Sequence, residues 1–274
     1  MILVYNTREV FDAMQQAKAG SPSFTTNFFP AQRKVQGWIA RAEMLTERHD
    51  HAALFLRKDQ DFWHLYFCAA SPEALQRAIN SSALVKTAPI VVDLVGNDPG
   101  IKGLITVLGA VGFRPYRRLF RMAKLISSSP IEDRADAPAV QFAEIFDSRA
   151  ILDLIFQSLD RYAEQLPTPQ EIESATANRQ ILAVKCDGEL AGLLFFETQG
   201  LTSTVRYWLV AERFRARWFG AVLMRHYFAV HLKVRRFILW VMADNEDAIK
   251  KYRHYGFAPD GLVDQVLVNG MIHS

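Results

Sequence analysis

The chain has 274 residues, half of them hydrophobic and 22% charged, and its 32 basic and 29 acidic side chains leave a net charge of +3. That composition excludes a disordered chain, and the length favours two domains or one large domain over a small module. No apolar run approaches the ~20 residues that cross a bilayer. The start, MILVYNTREVF, lacks a secretory-signal pattern, so a soluble, cytoplasmic protein is expected, with no membrane partner. Cys68 and Cys186 stand far apart with no ligand spacing, which predicts buried, reduced thiols and no metal site.

In chain order, the segment Thr25–Trp38 carries aromatics that suit a core or an acceptor pocket, and His49-Asp50-His51 reads as a solvated turn. Strands are predicted at Ala53–Lys58, Phe62–Ala70 and Pro89–Val95, helices at Pro72–Asn80 and Pro99–Ala110, and the half closes with GFRPYRRLFRMAKL. Ser127–Val140 is rich in Ser, Ala and Pro without an apolar period and reads as a linker. The expected division is therefore 1–126, a linker at 127–139, and 140–274.

The second half opens with helical spacing over Ser148–Glu164 and Pro169–Asn178. A hairpin follows, turning at Asp187-Gly188, and Thr204–Val210 supplies another strand. Phe219–Leu232 is helical, and FILWVMAD suits a strand buried on both faces. Asn245–Tyr255 is a helix ending at Gly256, and strands near Ala258–Val263 and Gln265–Ile272 complete the half. The landmarks of the two halves align. PIVVDLVGN, ending at Asn97, matches FILWVMADN, ending at Asn245, and Gly112-Phe113 matches Gly256-Phe257. A degenerate internal duplication is inferred.

The chemistry concentrates in YWLVAERFRARWFGA, Tyr207–Ala221: a strand, an arginine-rich loop, then a helix start. Unpaired N–H groups and the helix dipole make such a start a site for phosphate, and Arg213, Arg215 and Arg217 add charge. Between Val205 and Arg236 seven arginines and one lysine face a single glutamate, so the basic excess gathers around this loop. In NEDAIKKYRHYGF, Asn245–Phe257, Asn245 caps a helix, Ala248 is small, and Tyr252 lies close to two turns on, on nearly the same face.

With these two motifs, residues 140–272 resemble the GNAT superfamily of acyl-CoA-dependent N-acyltransferases. Its hallmark is a strand, a phosphate loop, a helix, a buried strand, and a helix of the form N-x-x-A-x-x-x-Y ending in Gly-Phe. The resemblance implies an α/β (α+β) protein of two tandem GNAT-like domains, each a mixed, mostly antiparallel sheet flanked by helices. The first would be a degenerate copy without a cofactor site.

It also implies an acyl-CoA, acetyl-CoA in the first place, as co-substrate, and a small-molecule or peptide amine as acceptor, with direct attack in a ternary complex. The phosphate loop maps onto Arg215, Ala216, Arg217, Trp218, Phe219 and Gly220, followed by Ala221. Trp218 stands where the family has its middle glycine, so the indole must point away from the ligand or cover it. Main-chain donors survive there if the backbone conformation does. Leu209 and Val210 would align the pantetheine arm and offer an N–H to the developing oxyanion. Asn245 counts with the cofactor residues, and Tyr252 would protonate the departing thiolate.

For a general base the strand before the loop offers only Thr202, Thr204 and Arg206, which leaves Glu197 on the preceding strand. In the first half the position equivalent to Tyr252 is Leu108, and Ser71-Pro72 leaves no room for an arginine loop. The acceptor is expected between the domains or against Ser148–Asn178. Two other functions remain open: a non-catalytic acyl-CoA-binding or regulatory protein, and an aminoacyl-tRNA-dependent transferase. Retained Tyr252 and the arginine loop favour CoA, and a nucleic-acid partner is not expected.

Overall fold

The computed structural model describes residues 1–19, 21, 24–82, 89–125 and 140–270; the expected linker at 127–139 lies outside them. The chain forms two compact units, Met1–Leu119 with Gly261–Ser274, and Phe120–Asp260. Among the described residues no helix is long and apolar enough to cross a membrane.

The first unit contains β1 (Ile2–Leu3), α1 (Thr7–Lys18), β2 (Thr25–Thr26), α2 (Gln32–Ala40), β3 (Met44–His49), β4 (Ala52–Asp59), β5 (Phe62–Ala69), α3 (Pro72–Ser81), β6 (Ile90–Gly96) and α4 (Asp98–Ala110). Strand β7 (Arg114–Leu125) begins here and ends in the second unit. The antiparallel ladders β3–β4–β5 lead to β6, which runs parallel to β5 for only two pairs, Trp63↔Ile90 and His64↔Val91. Helices α1 and α2 bury Val10, Ala13, Val35 and Trp38 against Phe55 and Tyr66 of the sheet. The segment Thr25–Trp38 thus serves the core, apart from Phe29, which is exposed.

The sequence places residues 140–274 together, yet the contacts group Gly261–Ser274 with the first unit. The cause is backbone pairing. Val263–Asn269 forms an antiparallel ladder with β6. A single strand, β13 (Ala258–Asn269), stands where two were expected; Gly261, at φ +88°, continues the strand and does not turn it.

The second unit contains β8 (Val140–Phe142), α5 (Ser148–Ser158), α6 (Pro169–Ala177), β9 (Ile181–Cys186), β10 (Glu189–Gln199), β11 (Thr202–Val210), α7 (Phe219–Val230), β12 (Arg236–Met242) and α8 (Glu246–His254). Its strands lie in the order β7-β12-β11-β10-β9-β8. The β9–β10 hairpin turns at Asp187 and Gly188, both at positive φ, as a two-residue turn of that hand requires.

One face of the sheet packs on α7, where Leu223, Met224, Tyr227 and Phe228 meet Phe196, Phe237 and Leu239. The other packs on α5 and α6 through Ile151, Ile155 and Ile172. At about 1.5–3 kcal/mol for each fully buried large apolar side chain, these two layers supply most of the drive to fold. The run FILWVMAD is not buried on both faces. In β12 Phe237, Leu239 and Val241 are buried while Ile238, Trp240 and Met242 between them are half-exposed.

Helix α5 also ends earlier than its apolar spacing predicts, at Ser158 and not at Glu164. Leu159 turns to extended backbone, and the Asp160 carboxylate accepts from the N–H groups of Tyr162 (2.9 Å) and Ala163 (3.2 Å). A short polar side chain at this point competes with the helix for backbone donors and closes a separate turn. Cys68 is buried, and Cys186 is half-exposed.

Candidate functional site

The site begins where two parallel strands part. β11 and β12 pair from Thr202↔Arg236 to Val205↔Leu239. Arg206 is then an extra residue in the β10–β11 ladder, where Phe195 faces Tyr207 and Phe196 faces Val205. A bulge bends its strand and turns its side chains over. Val205 accordingly faces α7, whereas Tyr207 and Leu209 face α5 and α6. Beyond the bulge, Leu209 and Val210 pair with Leu193 and Gly192 on the β10 side, and the edge toward β12 is open. Crevices outside the carboxyl ends of parallel strands are common ligand sites in sheets of this kind.

A 3-10 turn, Glu212–Arg217, leads from this edge into α7. Trp218 sits at the junction in left-handed backbone, φ 61° and ψ 9°, and no side chain caps the helix. The indole is 79% exposed to solvent. The glycine-like backbone is therefore kept by a tryptophan. Phe219 is buried against Phe214 and offers only its main chain, alongside Gly220 and Ala221.

The three arginines are not equivalent. Arg213 is ion-paired with Glu189, and Arg217 Nη1 donates to Cys186 Sγ at 3.1 Å. Arg215 is exposed and has no ion pair among the described residues. Ala216 lies within the 3-10 turn. An open groove of about 820 Å³ lies beside the turn, but its walls carry Asp147, Asp153, Glu189 and Glu212 against only Lys185 and Arg213. That balance disfavours phosphate in the hollow, whereas the uncapped start of α7 leaves main-chain N–H groups of the kind that accept an anion.

Helix α8 supplies the second motif. Asn245 Oδ1 accepts from the Ala248 N–H at 3.0 Å, which commits its side chain to capping. The Tyr252 ring lies 5.5 Å from that of Trp208 and 6.1 Å from that of Phe257, and its hydroxyl has no hydrogen-bond partner among the described residues. Burial, aided by the nearby Glu164 carboxylate, pushes its pKa well above that of a free phenol. Such a group stays protonated at neutral pH.

Glu197, the base suggested by the sequence, is paired with Arg206 at 3.2 Å. Arg206 Nη2 also reaches the Gln165 carbonyl at 3.4 Å, and Tyr207 Oη donates to the same oxygen at 2.6 Å. Next to it, Glu164 Oε2 accepts from the Asp160 N–H at 3.0 Å. Burial, with the Asp160 charge close by, pushes the Glu164 carboxyl up to about 7. Neither Glu164 nor Trp208 stands out in the sequence. The signal for Glu164 is the Asp160 that ends α5 and leaves the carboxylate on a turn.

The first unit repeats the framework of this site with other side chains. Asn97 Oδ1 caps α4 at the Gly100 N–H (2.8 Å), and Gly112 takes φ +96° as Gly256 takes +85°. The Phe113 N–H bonds Leu108 O at 3.0 Å, as the Phe257 N–H bonds Tyr252 O at 3.1 Å. Leu108 is fully buried, and Ser71 caps α3 directly after β5. Where β5 and β6 part, Asn27 lies between them. Its Nδ2 donates to Leu65 O (3.0 Å) and Asp93 O (3.1 Å), and its Oδ1 accepts from the Phe67 N–H (2.7 Å).

Residues 149–257 match the acetyltransferase (GNAT) family. A tandem GNAT protein from the clavulanic acid biosynthesis pathway superposes with a TM-score of 0.60 at 13% identity, over 99% of this chain and 99% of that one. A GCN5-related N-acetyltransferase from Sphaerobacter thermophilus gives 0.58 at 14% identity, covering 97% and 93%. One from Kribbella flavida gives 0.57 at 16% identity, covering 88% and 94%. No curated protein sequence matches the chain. At these identities the solved structures establish the fold, that of tandem GNAT proteins.

Proposed function

We propose that the second unit, an acetyltransferase (GNAT) family domain over residues 149–257, transfers the acyl group of an acyl-CoA, acetyl-CoA in the first place, to an amine. The observation that carries this proposal is the conjunction of three vacant groups: the uncapped start of α7, the open edge of β11, and the unpartnered Tyr252 hydroxyl. The residues present fit the co-substrate. Main-chain N–H groups of Phe219, Gly220 and Ala221, with Arg215, take the pyrophosphate. Ala216, Arg217 and Trp218 shape the turn, and Asn245 holds the start of α8.

When bound, the co-substrate supplies a thioester, whose carbonyl carbon is the electrophile. The backbone at Leu209 and Val210 aligns the pantetheine arm and donates toward the carbonyl oxygen as charge develops there, a stabilisation that acts only in the transition state. Tyr252 gives its proton to the leaving sulfur. No cysteine or serine nucleophile is required, because the amine attacks directly. The acceptor, a small-molecule or peptide amine, lies against α5 and α6. The cytoplasm, where acyl-CoA and free thiols coexist, is the compartment implied.

The test is calorimetric titration with acetyl-CoA, followed by thiol release across a panel of alkylamines, arylalkylamines and dipeptides. One binding site per chain and amine-dependent thiol release are expected. Tyr252→Phe should lower turnover with little change in acetyl-CoA affinity. Absence of acetyl-CoA binding, or unchanged turnover in the variant, would overturn the proposal or the role of Tyr252, respectively.

A further inference from the structure

We propose that Glu164 is the general base of this transfer, taking a proton from the ammonium form of the acceptor; this rests on the acyl-transfer function proposed above. Its own turn fixes the carboxylate through the Asp160 N–H at 3.0 Å. The adjacent Gln165 carbonyl is held by Tyr207 Oη at 2.6 Å and Arg206 Nη2 at 3.4 Å. Both residues belong to the bulge where β11 leaves β12, so the turn bearing Glu164 is fastened to the open edge itself. The next residue of β11, Trp208, packs on Tyr252, and the Glu164 charge is felt at the Tyr252 phenol. Acid and base thus flank the same end of β11, Glu164 by way of Gln165 and Tyr207 on the α5–α6 face and Tyr252 by way of Trp208 on the α7 face.

Glu197 is the weaker candidate. Its carboxylate is already engaged by the Arg206 guanidinium at 3.2 Å. Its contact with Arg206 gives it another task, since Arg206 in turn holds Gln165; Glu197 is a positioning residue. The groups facing Glu164 are Asp160 from its own turn, Tyr207 from β11 and Tyr252 from α8; Arg206 holds the carbonyl of the adjacent Gln165 and itself interacts with Glu197 on β10 and Glu171 on α6. Burial keeps the proton affinity of Glu164 near neutrality, where a general base works best.

The protons balance. Glu164 takes one proton from the ammonium and passes it to water after turnover. The amine lone pair forms the C–N bond, the C–S bond breaks, and the sulfur leaves with that electron pair and takes the Tyr252 proton. The nitrogen, positively charged after attack, loses its second proton to restore Tyr252. The net products are amide, free thiol and one released proton.

The experiment compares the wild type, Glu164→Gln and Glu197→Gln on the best alkylamine of the panel and on an arylamine that is uncharged at neutral pH. In Glu164→Gln the new amide oxygen can still accept the Asp160 N–H, so folding is preserved, and thermal denaturation checks it. Glu164→Gln should lose about 10²-fold in kcat/KM for the alkylamine, keep its acetyl-CoA affinity, lose the acid limb near pH 7, and recover most activity with the arylamine. Glu197→Gln should lower activity while retaining that limb. Alkylamine turnover by Glu164→Gln within threefold of wild type, or a surviving acid limb, would overturn Glu164 and leave acyl transfer standing. If the wild type binds acetyl-CoA but acylates no amine, both proposals fall.

Discussion

The ring of Trp208 lies 5.5 Å from that of Tyr252, inclined at 49°, while its Nε1 donates to the Gly220 carbonyl at 3.1 Å. One side chain thus joins the proposed acid on α8 to the first turn of α7, where phosphate is expected. Gly220 suits this fit, since a Cβ there would stand 3.3 Å from the indole and press it aside by a few tenths of an ångström. Trp208→Phe keeps an aromatic surface for Tyr252 and removes the hydrogen bond. At about 1 kcal/mol for a neutral hydrogen bond, KM for acetyl-CoA should rise about fivefold with kcat less affected. Steady-state kinetics separate the two, and a fall in kcat alone would mean that the indole serves Tyr252 and not the turn.

Trp218 makes a different prediction. Its left-handed backbone costs an L-residue roughly 1–2 kcal/mol, and the exposed indole gains little by packing. Trp218→Gly relieves that strain but adds freedom to the unfolded chain, worth about 0.4–1 kcal/mol in the other direction. Stability should therefore rise by ~0–1.6 kcal/mol, and acetyl-CoA affinity should stay the same or rise. Calorimetry decides the matter, because a tenfold loss of affinity would show that the indole folds over the ligand.

The ionisation of Glu164 should also be visible in stability. Its carboxyl titrates at about 7 in the folded chain against 4.5 as its ordinary value. Between those two pH values the folded state binds more protons than the unfolded one, so stability falls as pH rises through the window. The contribution is fully present below pH 4.5 and lost above 7. Thermal denaturation at pH 5 and pH 8 should show Glu164→Gln losing fewer degrees than the wild type between the two. Equal losses would place the carboxylate in water.

How much of the site can be read in the sequence depends on how local each signal is. Asn245 to Phe257 is legible because its cap, its two turns and its Gly256 terminus are fixed by neighbours within four or five residues, and Asn97 to Phe113 repeats them. The left-handed turn at Trp218 is legible by position for the same reason. Glu164 is hidden by an apolar spacing that continues past the true end of α5, where Asp160 prevails over helical periodicity. Trp208 reads as an ordinary strand residue until α7 and α8 fold over it. The bulge at Arg206 leaves no mark on an alternating pattern. The pairing of β13 with β6 joins residues more than 160 positions apart, beyond the reach of any local preference.

Asn27 gives the last prediction. Its amide closes the gap between β5 and β6 by bonding one carbonyl on each strand and one N–H on β5, all in the buried interior. The equivalent gap in the second unit is the one proposed for the pantetheine arm; under that proposal Asn27 fills, in the first unit, the place a ligand would take in the second. Asn27→Ala leaves three buried backbone groups without these partners, at about 1–3 kcal/mol for each that finds no water. A loss of roughly 3 kcal/mol or more in denaturant unfolding is expected. The variant should gain no second acetyl-CoA site, because the first unit still has Leu108 in place of a phenol and no arginine loop after β5. Calorimetric stoichiometry should stay at one per chain in both proteins. Two sites in the wild type would refute the assignment of the first unit as a filled copy, and two sites only in Asn27→Ala would show that this one amide is what keeps the ligand out.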